Sequence, residues 1–381
     1  MAKILINFAD FLHTEERKKQ NTYGGIGYYR QIKPSEQIKG HDVRVIGKEV
    51  AYFDSLEEQW DTIFKENDVF WTSYFSDDRN AGAIFYNRDK YKKKVIIDLD
   101  DNYLDVPESN LSYEKYKAGT KDRAFLSTIL FFADALTVST EPLKQRLLEH
   151  FRSVEVPDKK IYVIPNMNDI KDWDFPIAEK EKDKIVIGYS GSNSHQDDLK
   201  MVMPSIAKIM KKYKNVHFQL IGAIAKDKVK EYFGRAGFDD DCLSRIGLLP
   251  ATPTFKEFPE YLLSQKWDIG IAPLVDTPFT RSKSHIKWME YSMMKIPTIA
   301  SRVYPYFMDI GDRKTIQHGE TGYTVRDNEW EKYLSKLIED KSLREDIGNA
   351  AYEYVKDNWQ YKNGEINDTI SVMLKDIKAR R

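Results

Sequence analysis

The chain has 381 residues, with 59 Lys and Arg against 60 Asp and Glu and a formal net charge of -1. At about 150 residues per domain that leaves room for two domains, each able to bury its own core. The balanced charge excludes a global field drawing the protein to nucleic acid or anionic membrane, and the single cysteine, Cys242, excludes an intramolecular disulfide.

The N-terminal Met-Ala-Lys leads straight into a strand pattern and carries none of the marks of a signal peptide. The most apolar stretch, 125–138, is interrupted by Ser127, Thr128 and Asp134 and is shorter than the roughly 20 residues of a membrane span. With one cysteine, these features predict a reducing, cytoplasmic setting.

Apolar or β-branched runs at 3–8, 42–46, 68–74, 95–99, 135–139 and 161–164 alternate with helical patterns near 28–39, 56–65, 79–91, 113–133 and 142–151. Near-continuous apolar strands between helices predict parallel strands covered on both faces. The polar stretch 168–184 predicts a linker. A second alternation follows, with strands at 185–189, 216–221, 243–246, 267–272, 298–300 and 323–325 and helices near 199–213, 226–233, 255–263, 284–295 and 329–340. Two more helices, 342–358 and 364–378, close the chain. The predicted fold class is α/β, two Rossmann-like doubly wound domains facing across a cleft. The predicted boundaries are 1–168, a linker 169–184, a second domain 185–358 and a C-terminal helix within 359–381 that packs back on the first domain. Ligands of such sheets bind beyond the carboxyl ends of the strands, so the loops there are candidates for chemistry.

Four loops stand out. Asn21-Thr-Tyr-Gly-Gly-Ile-Gly-Tyr-Tyr-Arg30 places three glycines before a helix, where backbone N–H groups can approach a phosphate, although the spacing is not a dinucleotide fingerprint. Asp98, Asp100, Asp101 and Asn102 crowd a strand's carboxyl edge. Such carboxylates need water, a cation or hydrogen-bond donors, so a Mg²⁺ or Mn²⁺ site, an acceptor site and helix capping by Asp101 or Asn102 all fit. In Gly188-Tyr-Ser-Gly-Ser-Asn-Ser-His195 a strand ends in small residues before a helix start, a setting for a diphosphate to which His195 could donate. The fourth loop gathers Arg281, Lys283, His285 and Lys287 near a helix start, where the dipole favours acids; a bound anion explains the inversion. Glu290 shares a face with Lys287 and lies among Trp288, Met289, Met293 and Met294, so its carboxylate needs a partner such as a ribose diol.

This last stretch, with Glu290, Pro297 and Ile299-Ala-Ser301, resembles the donor-binding motif of retaining GT-B glycosyltransferases of the family 4 type. Gly24-Gly25, Ile164-Pro-Asn166, Gly188 to His195, Trp267 to Pro273 and His318-Gly-Glu-Thr-Gly-Tyr323 resemble that family's other elements, and a subgroup common in bacteria and phages has similar loops. The resemblance implies a glycosyltransferase that takes a nucleotide-sugar donor, retains anomeric configuration and has no obligatory cofactor, with a divalent metal not expected. It implies donor contacts at Gly24, Gly25, Gly191, Ser192, His195, Arg281, Lys283, Ser284, Lys287 and Glu290, catalytic roles for Asp100, Asp101 and Lys283, and acceptor contacts at Tyr28, Arg30, Asp98 and Asn102. Two positions depart from the pattern: Ser282 replaces a glutamate that contacts the donor sugar, and Asp100-Asp101 replaces a His-Asp pair. Saccharides, lipid-linked glycans, proteins and hydroxylated bases in phage-type DNA are all open as acceptors, with a saccharide or such a base favoured, and the basic runs Arg17-Lys-Lys19 and Lys92-Lys-Lys94 are candidates for phosphate contact. A GT-B epimerase, a GT-A transferase with Asp98-Leu-Asp100 as a metal motif, and a non-catalytic two-lobed binding protein are the alternatives.

Overall fold

A computed structural model of the chain describes residues 1–7, 23–46, 56–75, 78–156, 158–176, 181, 183–224, 229–252, 254–307, 309–310, 313–361 and 365–378. The expected features at 8, 17–19, 21–22, 226–228 and 364 lie outside these residues.

Six strands, β1 (Lys3–Asn7), β2 (Asp42–Ile46), β3 (Val69–Ser73), β4 (Lys94–Leu99), β5 (Ala135–Val138) and β6 (Ile161–Val163), form one parallel sheet in the order β2-β1-β3-β4-β5-β6. A second parallel sheet holds β7 (Ile185–Ser190), β8 (Val216–Ile221), β9 (Ile246–Leu249), β10 (Ile269–Ala272) and β11 (Thr298–Ser301). After a short hairpin of β12 (Asp309–Ile310) and β13 (Arg313–Lys314), the strand β14 (Tyr323–Val325) completes it in the order β14-β11-β10-β7-β8-β9. The two Rossmann-like units, α/β throughout, are thus arranged in series. Each sheet is apolar on both faces because helices cover both: every residue of β3, β5, β7, β10, β11 and β14 is buried.

Local chemistry shifts several boundaries. The helical pattern at 113–133 is two helices, Tyr113–Tyr116 and Lys121–Phe132, because Gly119 turns at φ +85° and the Thr120 side chain caps the second by accepting from the Arg123 N–H. The strand expected at 243–246 starts only at Ile246. Its Leu243 belongs to the helix Asp240–Ser244, which Asp239 caps through the Cys242 N–H. The motif helix runs from Ile286 to Met293, so Lys283 precedes it.

The linker is anchored. Asp169 and Asp172 take the Lys33 ammonium at 2.9 and 2.8 Å, and Trp173 is buried beside Phe255 and Phe258. The last helix, Glu365–Lys378, packs Ile366, Ile370, Met373 and Ile377 against Ile4, Ile6, Val69 and Ile96 of the first sheet. The chain's end therefore returns to its beginning. Among the described residues no helix is long and apolar enough to cross a membrane.

Candidate active site

A cavity of about 600 Å³ opens where the carboxyl edges of the two sheets face each other. On the second sheet it meets β7 at Ser190 and Gly191, β8 at Ile221 and the turn after β9 at Ala251 and Thr252. That is the switch region, where β7 runs beside both β8 and β10. Gly191 is required there: a Cβ would lie 2.6 Å from the Tyr189 hydroxyl oxygen. The first domain contributes Gly24, Gly25, Tyr29, Asp100, Asp101 and Asn166.

The motif helix and the turn before it supply the charged wall. Lys283, Ser284, Lys287 and Glu290 all line the cavity. Glu290 is 6% exposed and accepts from the Tyr29 hydroxyl at 3.1 Å. Burial pushes its carboxyl above the usual range, against the pull of Lys287 and the Tyr29 hydrogen bond. Burial, with Lys283 adding to it, pushes the Lys287 ammonium down, while Glu290 and Asp198 work to keep it charged. An incoming anion would complete this arrangement, because it lowers the cost of the two partly buried cations.

Lys283 already has one partner. Its Nζ lies 3.0 Å from Asp101 Oδ2, across the cleft. The surrounding turn is clamped by the first domain: Thr140 donates to the Ser282 carbonyl at 2.7 Å, Asn102 Nδ2 to the Ser282 hydroxyl at 3.1 Å, and Asn166 Nδ2 to Ser284 Oγ at 2.9 Å. Ser282, which stands where the resemblance leads one to expect a sugar-contacting glutamate, is thus 2% exposed and part of an interdomain tie.

Asp100 is half-buried and lines the cavity, with Oδ1 accepting from the Tyr103 hydroxyl at 3.0 Å. Burial, then the charges of Asp101 and Asp98, push its carboxyl up to about 6. Each acid of this run therefore has a protein donor: Arg30 for Asp98, Tyr103 for Asp100 and Lys283 for Asp101. His195, Gly191 and Ser192 also line the cavity, the imidazole Nδ1 lying 2.8 Å from Asp198 Oδ2.

Five expected positions sit differently. Arg281 does not line the cavity. It ends the short helix Pro278–Arg281, where positive charge suits the dipole, and its exposed guanidinium pairs with Asp276 at 2.5 Å. Asp98 is 1% exposed and accepts from Arg30 through both oxygens at 2.7 and 3.0 Å, so it faces the interior. Arg30 borders the cavity, yet its guanidinium is committed to Asp98 and Asn166. Tyr28 is buried, stacked on Phe255 at 3.8 Å between ring centroids, with its hydroxyl donating to Asp172. Asn102 is fully buried in its contacts to Asp105, Pro278 and Ser282. The motif's other cation, His285, is buried against Trp359, and burial pushes it down to about 3, so it adds no charge at the helix start.

The Lys92–Lys94 run lies at the amino end of β4, away from the cavity, with Lys93 paired to Asp68 and Lys94 to Asp134. Missed by the sequence reading were Tyr29, which joins Glu290 to Asn168, and the wall of Ile221, Ala251, Thr252, Phe255 and Phe258. Ile221 ends β8 and Ala251 follows β9, positions at the carboxyl edge that could have flagged them.

No family model and no curated protein matches the sequence. Solved structures do match the fold. A glycosyltransferase from Rickettsia africae aligns with a TM-score of 0.63 at 16% identity, covering 99% of both chains. HepE from Anabaena, in complex with UDP and glucose, aligns with a TM-score of 0.61 at 14% identity over 98% of this chain and 100% of that one. A TarM variant from S. aureus, in complex with fondaparinux, α-GlcNAc-glycerol and UDP, gives 0.56 at 12% identity over 84% of this chain. The match spans 58% of TarM's length. At these identities the likeness establishes architecture: the chain has the GT-B fold, two Rossmann-like domains facing across a cleft.

Proposed function

We propose that this protein is a glycosyltransferase that moves a sugar from a nucleotide-diphosphate donor to a saccharide hydroxyl, with retention of anomeric configuration. The observation that carries the reading is the pairing, in one cavity between two sheets, of cationic Lys283 and Lys287 with the buried carboxyl of Glu290. The lysines suit a diphosphate and the carboxyl suits a ribose diol. HepE and TarM, which share the fold, are both known in complexes with UDP, which favours a UDP-sugar here.

In this reading the nucleotide lies along β7, β8 and the motif helix. Lys283 and Lys287 stabilise charge that develops on the leaving diphosphate. The saccharide enters from the first domain beside Asp100, which orients its hydroxyl or takes its proton. Asp101 releases Lys283 to the phosphates when the donor arrives. Closure of the cleft aligns the reacting oxygen and anomeric carbon. The balanced charge and the acid-paired Lys93 and Lys94 give no support to a DNA acceptor.

The test is nucleotide release from a panel of UDP- and GDP-sugars with oligosaccharide acceptors, with product configuration read by NMR. The expected result is acceptor-dependent release, product of the donor's configuration, and activity that survives EDTA. Because Asp100 must be ionised to accept a proton, turnover should fall as pH drops through about 6. Binding without release would indicate a two-lobed binding protein, and interconversion of the donor without acceptor an epimerase.

A further inference from the structure

His195 closes a short 3₁₀ turn and leads into the helix Gln196–Lys212. Its ring is fixed from one side. Nδ1 lies 2.8 Å from Asp198 Oδ2, and Asp198 Oδ1 accepts the Val275 backbone N–H at 2.7 Å. Among the described residues Nε2 has no hydrogen-bond partner, and the residue lines the cavity with Lys283 and Lys287.

A hydrogen-bonding mismatch follows. The proton in the Nδ1–Asp198 bond is shared by one imidazole and one carboxylate. With that proton in place, a neutral ring presents only a lone pair at Nε2. A diphosphate oxygen is also an acceptor. Contact between the two therefore needs a second proton on the His195–Asp198 pair.

We propose that the His195–Asp198 pair takes up one proton when the donor's diphosphate enters, so that Nε2–H donates to a phosphate oxygen and donor binding is proton-coupled. The inference rests on the nucleotide-sugar reading and adds to it a protonation step at binding.

The electrostatics agree in sign. In the free protein, burial first, then the charges of Lys287 and Lys283, hold the His195 imidazole well below its usual range, with Asp101 opposing. Burial pushes the Asp198 carboxyl up to about 6, Asp197 adding to it, while the Val275 N–H, Lys287 and Lys283 oppose. Above that pH the pair holds a single proton. The facing groups are Lys283 and Lys287 from the motif segment, Asp101 from the loop after β4, Tyr189 of β7 and Tyr306 after β11, and Asp197 and Asp198 on the helix that His195 precedes, with Glu290 tempering Lys287. A diphosphate offsets both lysines and so reverses the largest charge effects on the ring.

Titration calorimetry of the full chain with UDP at about pH 8, where a terminal phosphate with second pKa near 6 is ionised, counts the protons when repeated in Tris and HEPES. Inorganic pyrophosphate serves as a probe that does not depend on the base. With UDP the parent is expected to take up about one proton more than His195→Gln, a difference that cancels any proton gained by the neighbouring Lys287; pyrophosphate, which still carries a proton of its own at this pH, reads binding alone. Asp198→Asn supplies a sharper test. Its amide can donate to Nδ1 and still accept from Val275, which fixes the neutral tautomer with Nε2–H toward the ligand. That variant should bind UDP within about threefold of the parent with its uptake reduced by about one proton. His195→Gln should bind about tenfold more weakly, keeping only the uptake that Lys287 supplies. Binding heat with no buffer dependence in the parent, or unchanged uptake in His195→Gln, overturns the proposal. Failure of both UDP and pyrophosphate to bind overturns the nucleotide-sugar reading beneath it as well.

Discussion

Glu290→Ala is expected to lower kcat/KM for the nucleotide sugar by a factor of 100 or more, close to 3 kcal/mol of transition-state stabilisation. Two effects combine. The ribose diol loses its acceptor, and Lys287 loses the nearby carboxyl that helps keep it charged in a buried setting. A cation less fully charged stabilises the departing diphosphate less. Glu290→Gln separates the effects, since it keeps the shape and a hydrogen-bonding oxygen but not the charge. It should fall between the parent and alanine. The Tyr29 hydroxyl, 3.1 Å from Glu290 Oε1, keeps Asn168 as a partner in either variant, so the fold should persist. Steady-state kinetics with a varied donor reads all three proteins, and near-parental rates in Glu290→Ala would remove this residue from the donor site.

A different kind of loss is expected at Asp98. Its carboxylate accepts from Arg30 Nε and Nη2, and from the Thr137 hydroxyl at 2.6 Å. Arg30 is 1% exposed. Asp98→Ala leaves that guanidinium buried with only the Ile164 carbonyl and Asn166 to satisfy it. Breaking a buried pair from one side costs about 3–5 kcal/mol, a drop in melting temperature on the order of 10 °C for domains of this size. Activity should fall as well, because Asn166 links Arg30 to Ser284 of the motif turn. Thermal unfolding followed by circular dichroism measures the first effect. An unchanged melting temperature with lost activity would return Asp98 to a direct role at the acceptor.

These two residues show what the sequence could and could not reveal. The sheets were legible because a parallel strand covered on both faces must be apolar along its length, as β7 and β10 are. The charged wall of the cavity was legible because its chemistry is local: Lys287 and Glu290 share one face of one helix, and cations before a helix start contradict the dipole. The surroundings of the first-domain residues were not. Whether Asp98 faces ligand or interior is decided by Arg30, 68 positions away, and Asn102 is claimed by Ser282, 180 positions away. Tyr28 and Arg30 open the helical pattern at 28–39 beside a glycine-rich loop, and only the aromatic layer of Phe255 and the buried Asp98 take them out of solvent. The boundary errors share a cause with these. Leu243 reads as strand until the Asp239 cap commits it to a helix.

The most direct test is a crystal structure of the protein soaked with UDP. The account predicts the diphosphate within hydrogen-bond distance of Lys283 and Lys287, the ribose hydroxyls on Glu290, and the Lys283–Asp101 contact, now 3.0 Å, lengthened or lost. Nucleotide bound away from the Ile286–Met293 helix, with Lys283 still held by Asp101, would contradict it.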